Sequence, residues 1–212
     1  MIHITDIHTH KNNCSGAIIN TSIKDFSPQS GMFYSLGIHP WDINKTHLEN
    51  DLQLIENIII NNSQILAIGE CGLDAGIDIP LDKQLYILEQ QIILSERLHK
   101  PLILHCVRRS GEIIKLYKKY KPKMAWIMHG FRSNENVANE IISKSNIYLS
   151  IGEKFNNKSL EIIPDNRILI ETDESNIGID KICSIVASAR SQSTEVLFKN
   201  IKHNIINIFS EY

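Results

Sequence analysis

Eight short apolar runs, each followed by polar residues, are the feature of this 212-residue chain that most limits its possible folds. Near-continuous hydrophobic stretches of this kind are typical of buried parallel strands, because helices cover both faces of a parallel sheet. The predicted strands span residues 2–7, 17–20, 32–38, 65–69, 102–105, 124–129, 147–150 and 167–171. Eight is also the number of parallel strands that closes a (β/α)₈ barrel.

Helical periodicity fills most of the gaps between these runs. Segments with apolar side chains at helical spacing span residues 48–60, 81–98, 111–120, 134–144, 178–190 and 194–209. Only the nine residues 8–16 separate the first two predicted strands, whereas a helical crossover needs about a dozen. We therefore predict an α/β fold, a TIM-like (β/α)₈ barrel that is distorted or lacks its first crossover helix.

The charge balance argues against a protein that holds nucleic acid by its overall electrostatic field. Lys and Arg number 22 and Asp and Glu number 24, which gives a formal net charge of −2. A purely electrostatic grip on phosphates requires a clear excess of basic residues. Any phosphate-bearing substrate would therefore be held locally, by bound cations or by a few placed side chains.

The apolar runs and the cysteines indicate a cytoplasmic protein of one domain, residues 1–212, without a membrane anchor. No apolar run approaches the roughly 20 residues of a membrane span, and the first residues do not form a signal peptide pattern. Four scattered cysteines without a Cys-x-x-Cys pair argue against a disulfide framework and against a zinc ribbon. We expect Cys71 and Cys106 to be small buried fillers of the strands. No obligate protein partner is evident.

The segment Asp6-Ile7-His8-Thr9-His10, at the end of the first apolar run, carries the strongest local signal. Alternate side chains of an extended backbone point to the same side, so His8 and His10 can offer two imidazole nitrogens to one cation. Two nearby histidines can equally be polar loop residues. This pair alone therefore does not establish a metal site.

Later strands end in residues of the same chemical type. Glu70, His105 and His129 each follow an apolar run, and Asp173 follows the last one. Any one of them could be an ordinary polar residue after a strand. Because the carboxyl ends of barrel strands converge on one mouth, we expect these residues to share a centre. The predicted metal ligands are His8, His10, Glu70, His105, His129 and Asp173.

Six motifs, taken together and in order, resemble those of the TatD-type metal-dependent hydrolases, a deoxyribonuclease family of the amidohydrolase-like superfamily. They are Asp6-x-His8-x-His10, Gly37-Ile38-His39-Pro40, Ile68-Gly69-Glu70-Cys71-Gly72-Leu73-Asp74, Pro101-x-x-x-His105, His129-Gly130-Phe131 and Glu171-Thr172-Asp173. The resemblance runs from residue 6 to residue 173. It departs at Glu174-Ser175-Asn176-Ile177-Gly178, where relatives carry a Ser-Pro-Tyr-Leu-like stretch.

The resemblance implies a hydrolase with one or two divalent cations and with Glu70 and Asp173 as catalytic residues. One cation would be held by His8, His10, Glu70 and Asp173, and the other by Glu70, His105 and His129. Glu70 would then bridge the two ions, and Asp173 would also serve as general base. Mixed imidazole and carboxylate ligands suit Zn²⁺ or Mn²⁺ better than Mg²⁺.

Substrate contacts are predicted at His39 and Arg108. The resemblance implies that His39 lines the substrate pocket, although it could instead orient a metal ligand. Arg108 suits a phosphate group because guanidinium binds two oxygens at once, and Arg109 competes for that role. Trp41 could stack on a base or simply pack, and Glu171 could support a ligand or be structural.

Three functions fit these residues. The first is a phosphodiesterase or deoxyribonuclease, similar to a 3′–5′ exonuclease, that acts on DNA ends or nucleotide-like small substrates. The second is hydrolysis of an amide, ester or lactone by the same fold, because fold and ligands do not fix the substrate. The third is a metal-binding barrel that has lost its activity.

Overall fold

Eight parallel strands form one sheet whose order in space follows their order in the chain. The computed structural model describes residues 4–45 and 48–209. The strands are β1 Asp6–Thr9, β2 Ala17–Thr21, β3 Phe33–Leu36, β4 Ile65–Asp74, β5 Leu102–Val107, β6 Trp126–Met128, β7 Tyr148–Ile151 and β8 Ile168–Ile170.

Seven α-helices in the described ranges follow β3 and the later strands. They are α1 Leu48–Asn61, α2 Leu81–Leu98, α3 Ser110–Tyr120, α4 Glu135–Lys144, α5 Asn157–Ile162, α6 Ile179–Ala189 and α7 Thr194–Phe209. Two 3₁₀ helices, Pro40–Lys45 and Asp165–Arg167, lie before α1 and β8. The described connections after β1 and after β2 contain no helix. The predicted barrel without its first crossover helix is therefore confirmed.

The first and last strands meet through a parallel bridge between Thr9 and Asp173. The backbone N–H of Asp173 donates to the carbonyl of His8 at 2.9 Å, and that of His10 donates to the carbonyl of Asp173 at 3.2 Å. These bonds close the barrel next to the predicted ligands. Closure therefore fixes Asp173 beside β1.

The strands and the inner faces of the helices share one apolar core. All ten residues of β4 are buried, as expected for a strand covered on both sides. On α2, Leu88 and Ile92 are buried against the sheet, as the helical stripe in the sequence indicates. Burying one such side chain stabilises the fold by about 1.5–3 kcal/mol.

All eight predicted strands have different bounds in the structure, six of them by no more than two residues at either end and two in ways that affect site residues. The first was expected over residues 2–7, of which residues 2 and 3 lie outside the described residues, but β1 begins at Asp6 and includes His8. The fourth was expected to end at Gly69, but its pairing with β5 continues from Cys71 to Asp74. β4 therefore carries Glu70 in its middle, and the polar end of the strand is Asp74.

Close packing of β4 on β5 explains the two glycines that flank Glu70. Gly69 and Gly72 adopt φ values of +146° and +152°, a region that favours glycine. A Cβ atom on Gly69 would lie 2.5 Å from the carbonyl oxygen of Ile103, and one on Gly72 would overlap that of His105. The glycines of Gly-Glu-Cys-Gly therefore allow β4 to pack closely against β5 at the position of the Glu70 carboxylate.

None of the helices in the described ranges is both long and apolar enough to cross a membrane.

Candidate metal centre

The carboxylate of Glu70 lies at the centre of the barrel mouth, with imidazoles around both of its oxygens. Oε1 lies 2.7 Å from His129 Nε2, 2.8 Å from His105 Nδ1 and 3.1 Å from His39 Nε2. These three histidines follow or end β3, β5 and β6. Convergence of the strand ends therefore brings together residues that are up to 90 positions apart in the chain.

The other oxygen of Glu70 faces the end of β1. Its Oε2 atom lies 3.4 Å from His8 Nε2 and 3.5 Å from His10 Nε2. The same two nitrogens lie 3.7 Å and 3.6 Å from Asp173 Oδ1. The structure thus gathers all six predicted ligands, with His39 as a seventh member of the cluster.

His8 is the member of this cluster whose hydrogen bonding is incomplete. Its side chain is fully buried, and neither ring nitrogen has a hydrogen-bond partner among the described residues. Burying an unpaired polar atom costs free energy, so such atoms call for a ligand. A divalent cation coordinated by the lone pair of Nε2 would satisfy one of these two nitrogens.

Three groups of side chains in the described ranges have ligand atoms close enough to hold one ion. They are His8, His10 and Glu70; His8, His129 and Asp173; and His39, Glu70 and His105. Imidazole nitrogens and carboxylate oxygens are ordinary ligands of divalent transition metals. The donor set therefore fits one or two such cations. These groups include His39, for which the sequence predicted only a substrate contact or a supporting role.

Charge coupling between Glu70 and the imidazoles dominates the electrostatics of the cluster. Burial alone would raise the pKa of Glu70, but the charge of His129 and hydrogen bonds from the histidines hold it well below its usual value. Burial would lower the pKa of His129, yet Glu70 and Glu171 raise it well above the ordinary value. Hydrogen bonding to Glu70 also raises the pKa of His10. Without a cation, His10 and His129 therefore keep their protons to a higher pH than ordinary imidazoles do.

Asp74 and Asn20 hold the cluster in place, although neither residue was predicted to have a role. Asp74 Oδ2 lies 3.1 Å from His105 Nε2, which turns Nδ1 of that ring toward Glu70. The side chain of Asn20 accepts a 2.9 Å hydrogen bond from the backbone N–H of Glu70. Both residues are polar and lie at or near the end of a strand. That position is the only signal that could have identified them.

Glu171 contacts His129 from the side opposite Glu70. Its Oε1 atom accepts a 2.6 Å hydrogen bond from the backbone N–H of Gly130 and lies 3.4 Å from His129 Nδ1. The side chain is fully buried, and Oε2 has no hydrogen-bond partner among the described residues. The sequence left two roles open for Glu171, support of a metal ligand and a purely structural one. This geometry favours support of His129.

The two candidate arginines differ clearly in their contacts. Arg109 is half-buried and pairs with Glu112 at 3.4 Å. Arg108 is exposed, and within the described ranges it makes no ion pair. Its guanidinium lies near Gly76, beside Asp74, so it borders the mouth without contacting the cluster. Arg108 is therefore the arginine that is available to an incoming anion.

The cysteines beside the candidate ligands lie outside the cluster. Cys71 is buried, and burial raises the pKa of its thiol. Cys106 is partly buried, and the same cause raises its thiol pKa to about 12. Among the described residues, neither cysteine belongs to a group that could hold a metal ion. Protonated thiols packed in the strands agree with the expected role as fillers.

A comparison with protein families identifies the chain. The model of the TatD-related DNase family matches residues 10–210. The chain belongs to this family. The resemblance seen in the six motifs is thereby confirmed for nearly the whole length of the sequence.

Curated members of the TatD family are moderately similar in sequence. The metal-dependent hydrolase YabD of Bacillus subtilis is 33% identical over 152 residues, covering 67% of this chain and 58% of YabD. The 3′–5′ ssDNA/RNA exonuclease TatD of Cronobacter sakazakii is 28% identical over 154 residues, covering 68% of this chain and 57% of that protein. The matches thus span about three fifths of the length of these relatives.

Solved structures of TatD proteins share the fold. The Escherichia coli TatD homologue YjjV superposes with a TM-score of 0.85 at 17% identity, covering 99% of each chain. A TatD-family hydrolase from Entamoeba histolytica gives a TM-score of 0.78 at 17% identity, covering 98% of each chain. The described barrel is therefore that of the TatD family.

In this TatD-family chain, a cavity opens beside the cluster on the side of β2 and β3, the two strands that the described chain enters without a crossover helix. Its volume is about 580 Å³, and it reaches from Glu70 and His39 outward to Lys24 and Lys45. A cavity of this size accommodates a small molecule or the end of a chain molecule. The helix-free connections from β1 to β2 and from β2 to β3 thus leave the cluster accessible.

Proposed function

We propose that this protein is a divalent-metal-dependent hydrolase that cleaves phosphodiester bonds at the ends of single-stranded nucleic acid. The observation that carries the proposal is the cluster of six ligand-type side chains centred on Glu70, in which neither buried nitrogen of His8 has a hydrogen-bond partner among the described residues. The name of the Cronobacter relative, a 3′–5′ ssDNA/RNA exonuclease, supports the choice of substrate. We assign metal-binding roles to His8, His10, Glu70, His105, His129 and Asp173.

The two carboxylates of the cluster are suited to different tasks. When bound, divalent cations lower the pKa of a water molecule and stabilise negative charge on phosphoryl oxygens. Glu70 is almost fully buried and has imidazoles on both oxygens, so it holds the centre together. Asp173 is 39% exposed and faces the mouth. Asp173 is therefore the carboxylate that can accept a proton from an attacking water molecule.

The charge distribution favours a substrate end over a long duplex. A net charge of −2 offers no broad basic surface for many phosphates. An enzyme that holds only a strand terminus needs few phosphate contacts outside the cation site. We assign these contacts to His39, which borders the cavity, and to Arg108, which is exposed at the mouth.

Other parts of the assignment follow from the ligand chemistry and the sequence. The mixture of imidazoles and carboxylates favours Zn²⁺ or Mn²⁺ over Mg²⁺. We propose one catalytic domain over residues 1–212 and a cytoplasmic location.

A labelled oligonucleotide tests this function. The protein, cleared of metal and reloaded with Zn²⁺, Mn²⁺ or Mg²⁺, is incubated with a single strand labelled at its 5′ end. We expect a ladder of products that shorten from the 3′ end, and we expect Asp173→Asn to slow it at least 100-fold. Glu161→Gln, an exposed carboxylate on α5, is the matched control and should leave the rate unchanged.

The same preparation separates the alternatives. Hydrolysis of aminoacyl esters or lactones without cleavage of the oligonucleotide would replace the nuclease by another hydrolase of this fold. Tight metal binding without turnover of either class would indicate a barrel that has lost activity.

A further inference from the structure

Trp41 is a large aromatic side chain that is exposed and yet fixed in orientation. It is 59% exposed at the start of the 3₁₀ helix that follows β3. Its indole N–H donates a 2.8 Å hydrogen bond to Asp74 Oδ2, and its backbone N–H donates to His39 Nδ1 at 3.2 Å. An exposed tryptophan normally turns among rotamers. Here the hydrogen bond to Asp74 anchors the ring.

The anchored ring lies beside the candidate metal centre. Its centroid is 4.9 Å from that of His39 and 6.0 Å from that of His105, both in edge-on geometry. His39 in turn lies 3.1 Å from Glu70. The two imidazoles thus border the indole, and His39 connects this exposed ring to Glu70.

An aromatic surface and a candidate anion-binding side chain lie on either side of Asp74. Asp74, which anchors the indole, also accepts a 2.6 Å hydrogen bond from the backbone N–H of Gly76. The guanidinium of Arg108 lies near Gly76. A flat apolar surface at Trp41 and a free guanidinium at Arg108 therefore flank one carboxylate. This combination suits a nucleotide, which carries a planar base and a phosphate.

We infer that Trp41 is the platform on which the nucleobase next to the cleaved bond stacks. The inference rests on the proposed nuclease function and adds a substrate feature to it: the strand end must carry a base for efficient binding. Aromatic stacking is largely independent of base identity, because every base has a π face. The platform therefore distinguishes ends with a base from abasic ends, and it does not read sequence.

The test compares two single strands that differ only at the 3′-terminal residue, which carries a base in one and is an abasic tetrahydrofuran in the other. The wild-type protein should cleave the first with a kcat/KM roughly 5- to 150-fold higher, the range that stacking of one base provides. Trp41→Ala should bring this ratio to about one, mainly through KM. Trp41→Phe, which keeps a flat ring, should retain part of the preference.

The ratio separates stacking from a structural role. If Trp41 only covers Asp74 and His105, Trp41→Ala would slow both strands equally and leave the ratio at its wild-type value, which would overturn the inference. Tyr86→Ala, which removes an exposed aromatic ring from α2, is the matched control and should leave the ratio unchanged. If the wild-type protein cleaves neither strand, the nuclease assignment itself fails.

Tryptophan fluorescence gives a readout without turnover. The chain has two tryptophans, and Trp126 is buried whereas Trp41 is exposed. A phosphorothioate-linked tetranucleotide, which resists hydrolysis, should quench the wild-type emission in a saturable way. An abasic tetranucleotide should quench it much less, and Trp41→Phe should abolish the signal. Saturable binding without any quenching would contradict the inference.

Discussion

Thr172 donates two hydrogen bonds to Asp6, one from its backbone N–H to Oδ1 at 3.0 Å and one from its hydroxyl to Oδ2 at 2.6 Å. Both side chains are buried, and they join the first strand of the barrel to the segment after the last strand. His8 lies two residues after Asp6, and Asp173 directly follows Thr172. This pair therefore sets the distance between two of the proposed metal ligands.

Removing the hydroxyl of Thr172 should weaken the closure of the barrel. Thr172→Val keeps the shape of the side chain but leaves Asp6 Oδ2 without its short hydrogen bond and Thr9 without its 2.8 Å contact. We expect the free energy of unfolding to fall by about 1–3 kcal/mol, measured by urea denaturation of the metal-free protein. Ser184→Ala, an exposed hydroxyl on α6, is the control and should change it by less than about 0.5 kcal/mol. Equal effects of the two substitutions would contradict a role in closure.

The carboxyl of Asp6 should make stability depend on pH. Burial raises the pKa of Asp6 from 3.8 to about 6, despite the opposing hydrogen bonds from Thr172. Between these values the folded protein keeps a proton that the unfolded chain releases, so the contribution of Asp6 to stability falls as pH rises from about 4 to about 6. Asn at this position does not titrate.

The difference in unfolding free energy between wild type and Asp6→Asn isolates this effect. Relative to the wild type, the unfolding free energy of Asp6→Asn should rise by about 2–3 kcal/mol between pH 4 and pH 7. Urea denaturation in the presence of a chelator measures it. A difference that stays constant over this range would show that Asp6 has an ordinary pKa in the folded protein.

Glu171 should control metal affinity through His129. Its Oε1 atom contacts both His129 Nδ1 and the backbone N–H of Gly130, so it fixes the ring that faces Glu70. Removing such a partner typically lowers metal affinity 10- to 100-fold. We expect a loss of about this size for Glu171→Gln in a competition titration with a chromophoric chelator, with the circular dichroism spectrum retained. Unchanged affinity would mean that the carboxylate serves only the fold.

Much of the barrel could be predicted because its signals are local. Apolar runs indicate buried strands directly. Because strand ends converge in a barrel, the proximity of Glu70 and His129 can be predicted without knowing how the side chains pack. The six-residue helix α5 carries too short a periodic pattern to be recognised. The extension of β4 to Asp74 was missed because it depends on close contact of glycines with β5, which a single strand's pattern does not reveal.

The supporting residues of the site could not be predicted for a related reason. Asp74 acts on His105 and on Trp41 across strands, so its role depends on sheet register and on the path of the β3 connection. The availability of Arg108 likewise depends on Glu112, which engages Arg109 instead. Such pairings arise from tertiary geometry and have no counterpart in motif spacing.

We propose that side chains distant in the chain hold divalent cations, with Glu70 at the centre of the site. Element-specific metal analysis of the purified protein and of Glu70→Ala, after equilibration with Zn²⁺ or Mn²⁺ and with turnover measured in parallel, tests it most directly. We expect one to two equivalents of metal in the wild type, and in the variant a loss of metal and activity with the fold intact. A folded Glu70→Ala protein that keeps its full metal content and turnover would show that Glu70 does not hold the cations.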